Sequence, residues 1–223
     1  SQGLGALVAK EFSKFNSKLI LISRSEKKLK KIIGDCKNSL HHNYFECDFQ
    51  SSDEIYNMTS YIKKKFKKID IIMHIAGGGL GVGELLPKSQ DYLKVFNLNL
   101  FSIFEINREL VPIMQKKKSG TIFHVGSIAS NQAVGSISYN VSKFALSAYV
   151  RTLGRQLAID KICVTGINPG GFEYKDNAMH RLKNKNLKAY RDFINKRIPL
   201  QRMPKANELL PIIKTIIGEN NMM

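Results

Sequence analysis

The chain has 223 residues, 43% of them hydrophobic, and carries 35 Lys and Arg against 18 Asp and Glu, a formal charge of +17. That length holds one core of ordinary size, and no Pro/Ser-rich linker or charge boundary divides it, so a single domain over 1–223 is expected. Cys36, Cys47 and Cys163 are odd in number and widely spaced, with no Cys-x-x-Cys or His pairing, so neither a disulfide scaffold nor a metal site is expected. In chain order, short β-branched runs alternate with longer amphipathic stretches. Helices are predicted over 4–15, 26–36, 53–66, 90–116, 137–159 and 207–217, with lid helices around Ala178 and over 187–196 inside a lid of about 172–205. Strands are predicted over 19–23, 44–48, 69–75, 121–125 and 163–168. Strands separated by helices imply parallel βαβ units with right-handed crossovers, hence an α/β doubly wound parallel sheet of Rossmann type in three αβα layers.

Within that frame the chemistry gathers near residues 127–143. Tyr139 and Lys143 stand four apart on a predicted helix, so they project side by side, and an ammonium beside a phenol favours the phenolate. Ser127 follows the apolar strand 121–125 and presents a hydroxyl at its exit. An isolated Tyr-x-x-x-Lys is ordinarily a solvated helix edge; the surrounding order of motifs changes that reading. Ser1-Gln2-Gly3-Leu4-Gly5 opens the chain as a glycine turn, where Gly3 and Gly5 let a pyrophosphate approach the backbone at a helix N-terminus. The strand 19–23 ends in Ser23-Arg24-Ser25, with no carboxylate to accept from an adenosine ribose. A guanidinium flanked by two hydroxyls suits a 2′-phosphate, so NADP is preferred over NAD.

With Ala76-Gly77 after a strand, Asn99 within a helix and Asn168-Pro169-Gly170 closing another strand, the chain resembles the classical short-chain dehydrogenase/reductase family over essentially its whole length. The resemblance implies an oxidoreductase in which Asn99, Ser127, Tyr139 and Lys143 are catalytic. Tyr139 would exchange the proton, Ser127 orient the substrate oxygen, Lys143 lower the phenol's pKa and hold the nicotinamide ribose, and Asn99 fix a water near Lys143. It also implies cofactor contacts from Ser1 to Gly5, Ser23, Arg24, Ser25, Asp48 (to the adenine amino group), Ala76, Gly77, Tyr139, Lys143, Pro169 and Gly170. His74-Ile75 depart from the family's Asn-Asn, and Tyr174 stands where relatives carry a Thr.

Most lysines punctuate helices (Lys27, Lys28, Lys30 and Lys31; Lys63 to Lys65), so nucleic acid is not an expected partner. Between Lys175 and Lys205, however, ten Lys/Arg face Asp176 and Asp192, which points to an anionic substrate: a sugar phosphate, a nucleotide sugar or a 3-oxoacyl group on an acidic carrier. The competing reading is a non-catalytic NADP-binding regulator of the same fold. No apolar run reaches the roughly 18 residues of a membrane span, so no membrane partner is expected; the odd, widely spaced cysteines fit a reducing, cytoplasmic setting, and the resemblance implies a homodimer or homotetramer. It also implies a central strand before Ser1 and another beyond Met223, without which the strands led by Leu19 and Ile69 would flank an empty slot.

Overall fold

The computed structural model describes residues 2–175 and 177–218. Helix α1 (Gly3–Phe12) leads to β1 (Ile20–Ser23), α2 (Glu26–Gly34), β2 (Asn43–Glu46), α3 (Ser52–Lys65) and β3 (Ile71–His74). Then come α4 (Ser89–Phe96), α5 (Ser102–Lys117), β4 (Gly120–Val125), α6 (Ile137–Leu157) and β5 (Ile162–Ile167), followed by the lid helices α7 (Ala178–Lys185) and α8 (Leu187–Arg197) and by α9 (Leu210–Ile217). Local chemistry sets several boundaries. Ser25 and Ser51 accept from the N–H groups of Lys28 and Glu54 and so cap α2 and α3, and Asn177 and Asn186 cap α7 and α8 in the same way.

All strand pairings are parallel, as expected, but they form two sheets: β1 with β2, and β3–β4–β5. Among the described residues no strand joins β1 to β3, the gap expected between the strands led by Leu19 and Ile69. What unites them is a shared apolar layer. Ile55, Met58 and Ile62 of α3 and Ile106, Leu110 and Met114 of α5 pack in one cluster with Ile72, Ile122 and Ile162 of the larger sheet, and Ile20, Ile22 and Phe45 of the smaller sheet pack against it. The opposite face is covered by Leu4 and Val8 of α1 and by Ile213 and Ile217 of α9, packed on Phe123 and Val125. Each such fully buried side chain contributes about 1.5–3 kcal/mol. Along β4, Ile122 and His124 face one layer while Phe123 and Val125 face the other, the period-2 alternation that makes three layers.

The helix expected over 90–116 is interrupted. Residues Asn97–Phe101 form a π-helical turn between α4 and α5. No Gly or Pro announces it; the wider turn carries Asn99 inward, where it is fully buried.

Candidate active site

The C-terminal ends of β3, β4 and β5 lie side by side at one edge of the larger sheet, where the candidate site residues gather. Ser127 leaves β4 in extended conformation, and its Oγ accepts from the N–H of Ala129 at 3.1 Å. Its own N–H is held by Asn168 Oδ1 at 3.2 Å, while the neighbouring Gly126 N–H donates to Ile167 O at 2.8 Å. A Cβ on Gly126 would fall 1.9 Å from Asn168 Oδ1, so this turn requires glycine. Sequence reading treated Asn168 merely as part of a strand end; its amide is the support beneath Ser127.

Tyr139 and Lys143 lie on α6 and present themselves together, with Lys143 Nζ 5.8 Å from the centroid of the Tyr139 ring. Lys143 is buried and donates to Val125 O at 3.0 Å, its one hydrogen-bond partner among the described residues. Burial lowers its pKa to about 8. The expected lowering of the phenol by Lys143 is corrected: burial pushes the Tyr139 pKa up, the Ser127 hydroxyl pulls it back, and Tyr174 adds to the rise. Desolvation dominates, so the phenol holds its proton at neutral pH.

Asn99 approaches Lys143 without a hydrogen bond to it. Its Oδ1 accepts from Gly78 N–H at 3.0 Å, and its Nδ2 donates to Gly78 O at 2.9 Å and Val95 O at 2.7 Å. The amide therefore clamps the loop after β3 onto the π turn. A Cβ at Gly77 would lie 2.8 Å from Asn99 Oδ1 and 3.2 Å from Lys143 Nζ, so Asn99 and Lys143 approach each other over a bare backbone.

Behind Lys143 sits a pair that the sequence pattern does not reveal. His74 and His124 are partners in register across β3 and β4, their rings stacked at 4.8 Å and 22°. His74 Nε2 meets Asn107 Oδ1 at 2.8 Å, and Asn107 Nδ2 donates to Tyr149 Oη at 3.1 Å. Neither nitrogen of His124 has a hydrogen-bond partner among the described residues. Burial lowers His74 to about 4 and His124 to about 2, so both imidazoles are neutral.

At the other end of the site, Ser1 lies outside the described residues. Gly3 heads α1 in the left-handed region with φ 58°, which favours glycine. Gln2 is exposed and its side chain accepts from Lys28 Nζ at 3.0 Å; Leu4 is buried in the core, and Gly5 adjoins Ile75. Ser23 Oγ accepts from Ser25 N–H at 3.4 Å, while Arg24 is exposed and unpaired among the described residues. Asp48 falls beyond β2, which stops at Glu46, and its Oδ1 accepts from Gln50 N–H at 3.0 Å in a local turn. Ala76 and Gly77 follow β3 at the sheet edge; Pro169 O accepts from Ile128 N–H at 3.1 Å, and Gly170 adjoins Ile128.

These residues fit a dinucleotide. A bare backbone at Gly77 beside a buried ammonium with one acceptor leaves Lys143 N–H groups for ribose hydroxyls, and the unpaired Arg24 leaves a guanidinium for a phosphate. Among the described residues no group of His, Cys, Asp and Glu could hold a metal ion, and no helix is long and apolar enough to cross a membrane.

The sequence matches the family model described as short chain dehydrogenase over residues 1–186. A 3-oxoacyl-(acyl-carrier-protein) reductase of Rickettsia typhi is 32% identical over 205 residues, 90% of this chain and 78% of that protein. L-Sorbose reductase from Gluconobacter frateurii, solved with NADPH and L-sorbose, matches 97% of this chain and 86% of its own with a TM-score of 0.87 at 22% identity. ElxO with NADP bound matches 98% and 88%, also at TM-score 0.87 and 22% identity. With most of its length matched, the chain belongs to the short-chain dehydrogenase family, an enzyme family of NAD(P)-dependent oxidoreductases.

Proposed function

We propose that this protein is an NADPH-dependent reductase of a carbonyl group on an anionic substrate, with a 3-oxoacyl thioester on an acidic carrier as the leading class. The observation that carries the reading is the meeting of Ser127, Tyr139 and Lys143 at one strand exit. When bound, NADPH supplies the hydride that goes to the carbonyl carbon. Tyr139 donates its phenolic proton to the carbonyl oxygen, and its retained proton suits it to this direction. Ser127 Oγ–H donates to the same oxygen and orients it. Lys143, with a pKa near 8, passes protons near neutral pH while its remaining N–H groups hold ribose hydroxyls. Asn99 holds the Gly78 peptide by both its N–H and its C=O and so fixes the loop beside Lys143. Arg24 and the hydroxyls of Ser23 and Ser25 receive the 2′-phosphate, and Asp48, Ala76, Gly77, Pro169 and Gly170 line the remaining length.

Two observations favour the acyl-carrier class. Lys183 pairs with Glu173 and Arg202 with Glu208, while Lys185, Lys188, Arg191, Lys196 and Arg197 on the lid are exposed with no ion pair among the described residues. The 3-oxoacyl-carrier reductases of Rickettsia typhi and Buchnera aphidicola cover 78% and 87% of their own lengths in the match to this chain. The exposed Phe144, Val141 and Phe101 on α6 and the π turn make an apolar face suited to self-association as a dimer or tetramer. A nicotinamide fluorescence titration followed by a screen of oxoacyl thioesters and sugar phosphates tests the reading. NADPH binding with turnover of a thioester is expected; failure to bind NADPH refutes the reading, and turnover of a sugar phosphate alone refutes the acyl class.

A further inference from the structure

Tyr174 belongs to neither the catalytic set nor the cofactor contacts, yet its ring reaches the glycine turn. A Cβ built on Gly3 would fall 2.4 Å from Tyr174 Cε2, 2.5 Å from Cζ and 2.8 Å from Cδ2. The hydroxyl-bearing edge of the ring therefore lies directly against the backbone at the head of α1. The same phenol is felt by Tyr139, so one lid side chain spans from the glycine turn toward the catalytic phenol.

The backbone around this ring is anchored and the ring is not. Glu173 N–H donates to Pro204 O at 2.8 Å, Ala206 N–H donates to Glu173 O at 3.2 Å, and Tyr190 Oη donates to Glu173 Oε2 at 2.5 Å. On the other side Asn177 Nδ2 donates to Phe172 O at 2.6 Å. The Tyr174 hydroxyl makes no hydrogen bond among the described residues; the ring is half-buried, packed on Gly3 and tilted against Phe172 at 5.9 Å. Rotation about its side-chain torsions gives up packing alone, so it can leave the turn without unfolding the lid.

We propose that Tyr174 covers the glycine turn in the free protein and must swing off it before a dinucleotide can seat its phosphates there, so that Tyr174 sets the rate and apparent affinity of cofactor entry. This rests on the dinucleotide reading above. A site whose competent form is a minor population binds more weakly by that fraction, and removing the cover restores it. The proposal also accounts for a large aromatic at a position where a smaller side chain would leave the turn open.

Stopped-flow NADPH fluorescence on the intact protein and on Tyr174→Ala, Tyr174→Thr and Tyr174→Phe provides the test. The Ala and Thr variants should associate about tenfold faster, with a correspondingly lower Kd, and the Phe variant should match the unmodified protein because the hydroxyl is unbonded. Equal association rates in all four would overturn the proposal while leaving the dinucleotide site intact, and weaker binding by Ala and Thr would overturn it by making Tyr174 a cofactor contact. No NADPH binding by the unmodified protein would instead refute the underlying reading. A ligand-free thermal melt checks the contact itself: Gly3→Ala should lower Tm less in a Tyr174→Ala background than alone, and equal losses would mean that the ring does not rest on the turn.

Discussion

Gly77→Ala tests whether Asn99 and Lys143 are held over a bare backbone. Gly77 has no positive φ, so alanine meets no backbone strain, and the whole effect comes from the added methyl. That methyl would stand 2.8 Å from Asn99 Oδ1, about 0.7 Å inside an ordinary contact of roughly 3.5 Å. Asn99 cannot yield freely, because its amide is fixed by Gly78 on both sides and by Val95 O. Overpacking together with one or two weakened hydrogen bonds gives an expected loss of about 2–4 kcal/mol. Gly79 is the control: its nearest contacts for a Cβ are Ser136 Oγ and Tyr139 Cβ, both at 3.8 Å, so Gly79→Ala should change stability by no more than about 1 kcal/mol. Urea titrations with an unchanged m-value read both. In an Asn99→Ala background the Gly77→Ala loss should shrink by at least about 1 kcal/mol. If Gly77→Ala unfolds at the same urea concentration as Gly79→Ala, the clamp described here is not a constraint.

Three further outcomes are expected. Lys143 titrates near 8 when folded and at its ordinary 10.5 when unfolded, so the unfolded chain binds the extra proton between these values and stability climbs with pH across that window; Lys143→Met should raise stability by about 1–3 kcal/mol at pH 7 and lose this advantage above about pH 10.5, as read by urea titration. His74 and His124 are depressed to about 4 and about 2 from 6.5, so their contribution is present above pH 6.5 and lost as pH falls toward 4, about 3 kcal/mol for each; a His74→Asn, His124→Val variant should lose far less stability over that interval. Arg24→Asp should reverse the cofactor preference, removing about 1–3 kcal/mol of NADP selectivity, and equal Kd values for NADP and NAD in the unmodified protein would contradict the role given to Arg24.

Alternating runs gave the order of the described strands and of the helices between them, apart from the break between α4 and α5, because parallel βαβ units need buried β-branched strands between amphipathic helices and both signals are local. The placement of the candidate site residues was legible for a similar reason: Ser127 at a strand exit and the four-residue step from Tyr139 to Lys143 fix geometry through regular elements. What failed depended on contacts distant in sequence. The π turn at Asn97–Phe101 exists where Asn99 reaches the Gly78 peptide, and no residue within 90–116 announces that. The Tyr139 phenol is raised rather than lowered because burial depends on what packs around it, not on its distance along the helix from Lys143. The stacked His74–His124 pair needed the register of β3 against β4, and the approach of Tyr174 to Gly3 joins residues far apart in the chain.

The central claim is that Tyr139 donates the proton in an NADPH-dependent carbonyl reduction. It is tested most directly by measuring NADPH binding and NADPH oxidation in the presence of a 3-oxoacyl thioester for the unmodified protein and Tyr139→Phe. The account predicts an unchanged Kd for NADPH within about threefold and a fall in kcat/KM of at least about a hundredfold, the usual contribution of a positioned acid. A Phe variant that binds NADPH and retains most of the unmodified kcat/KM would contradict it.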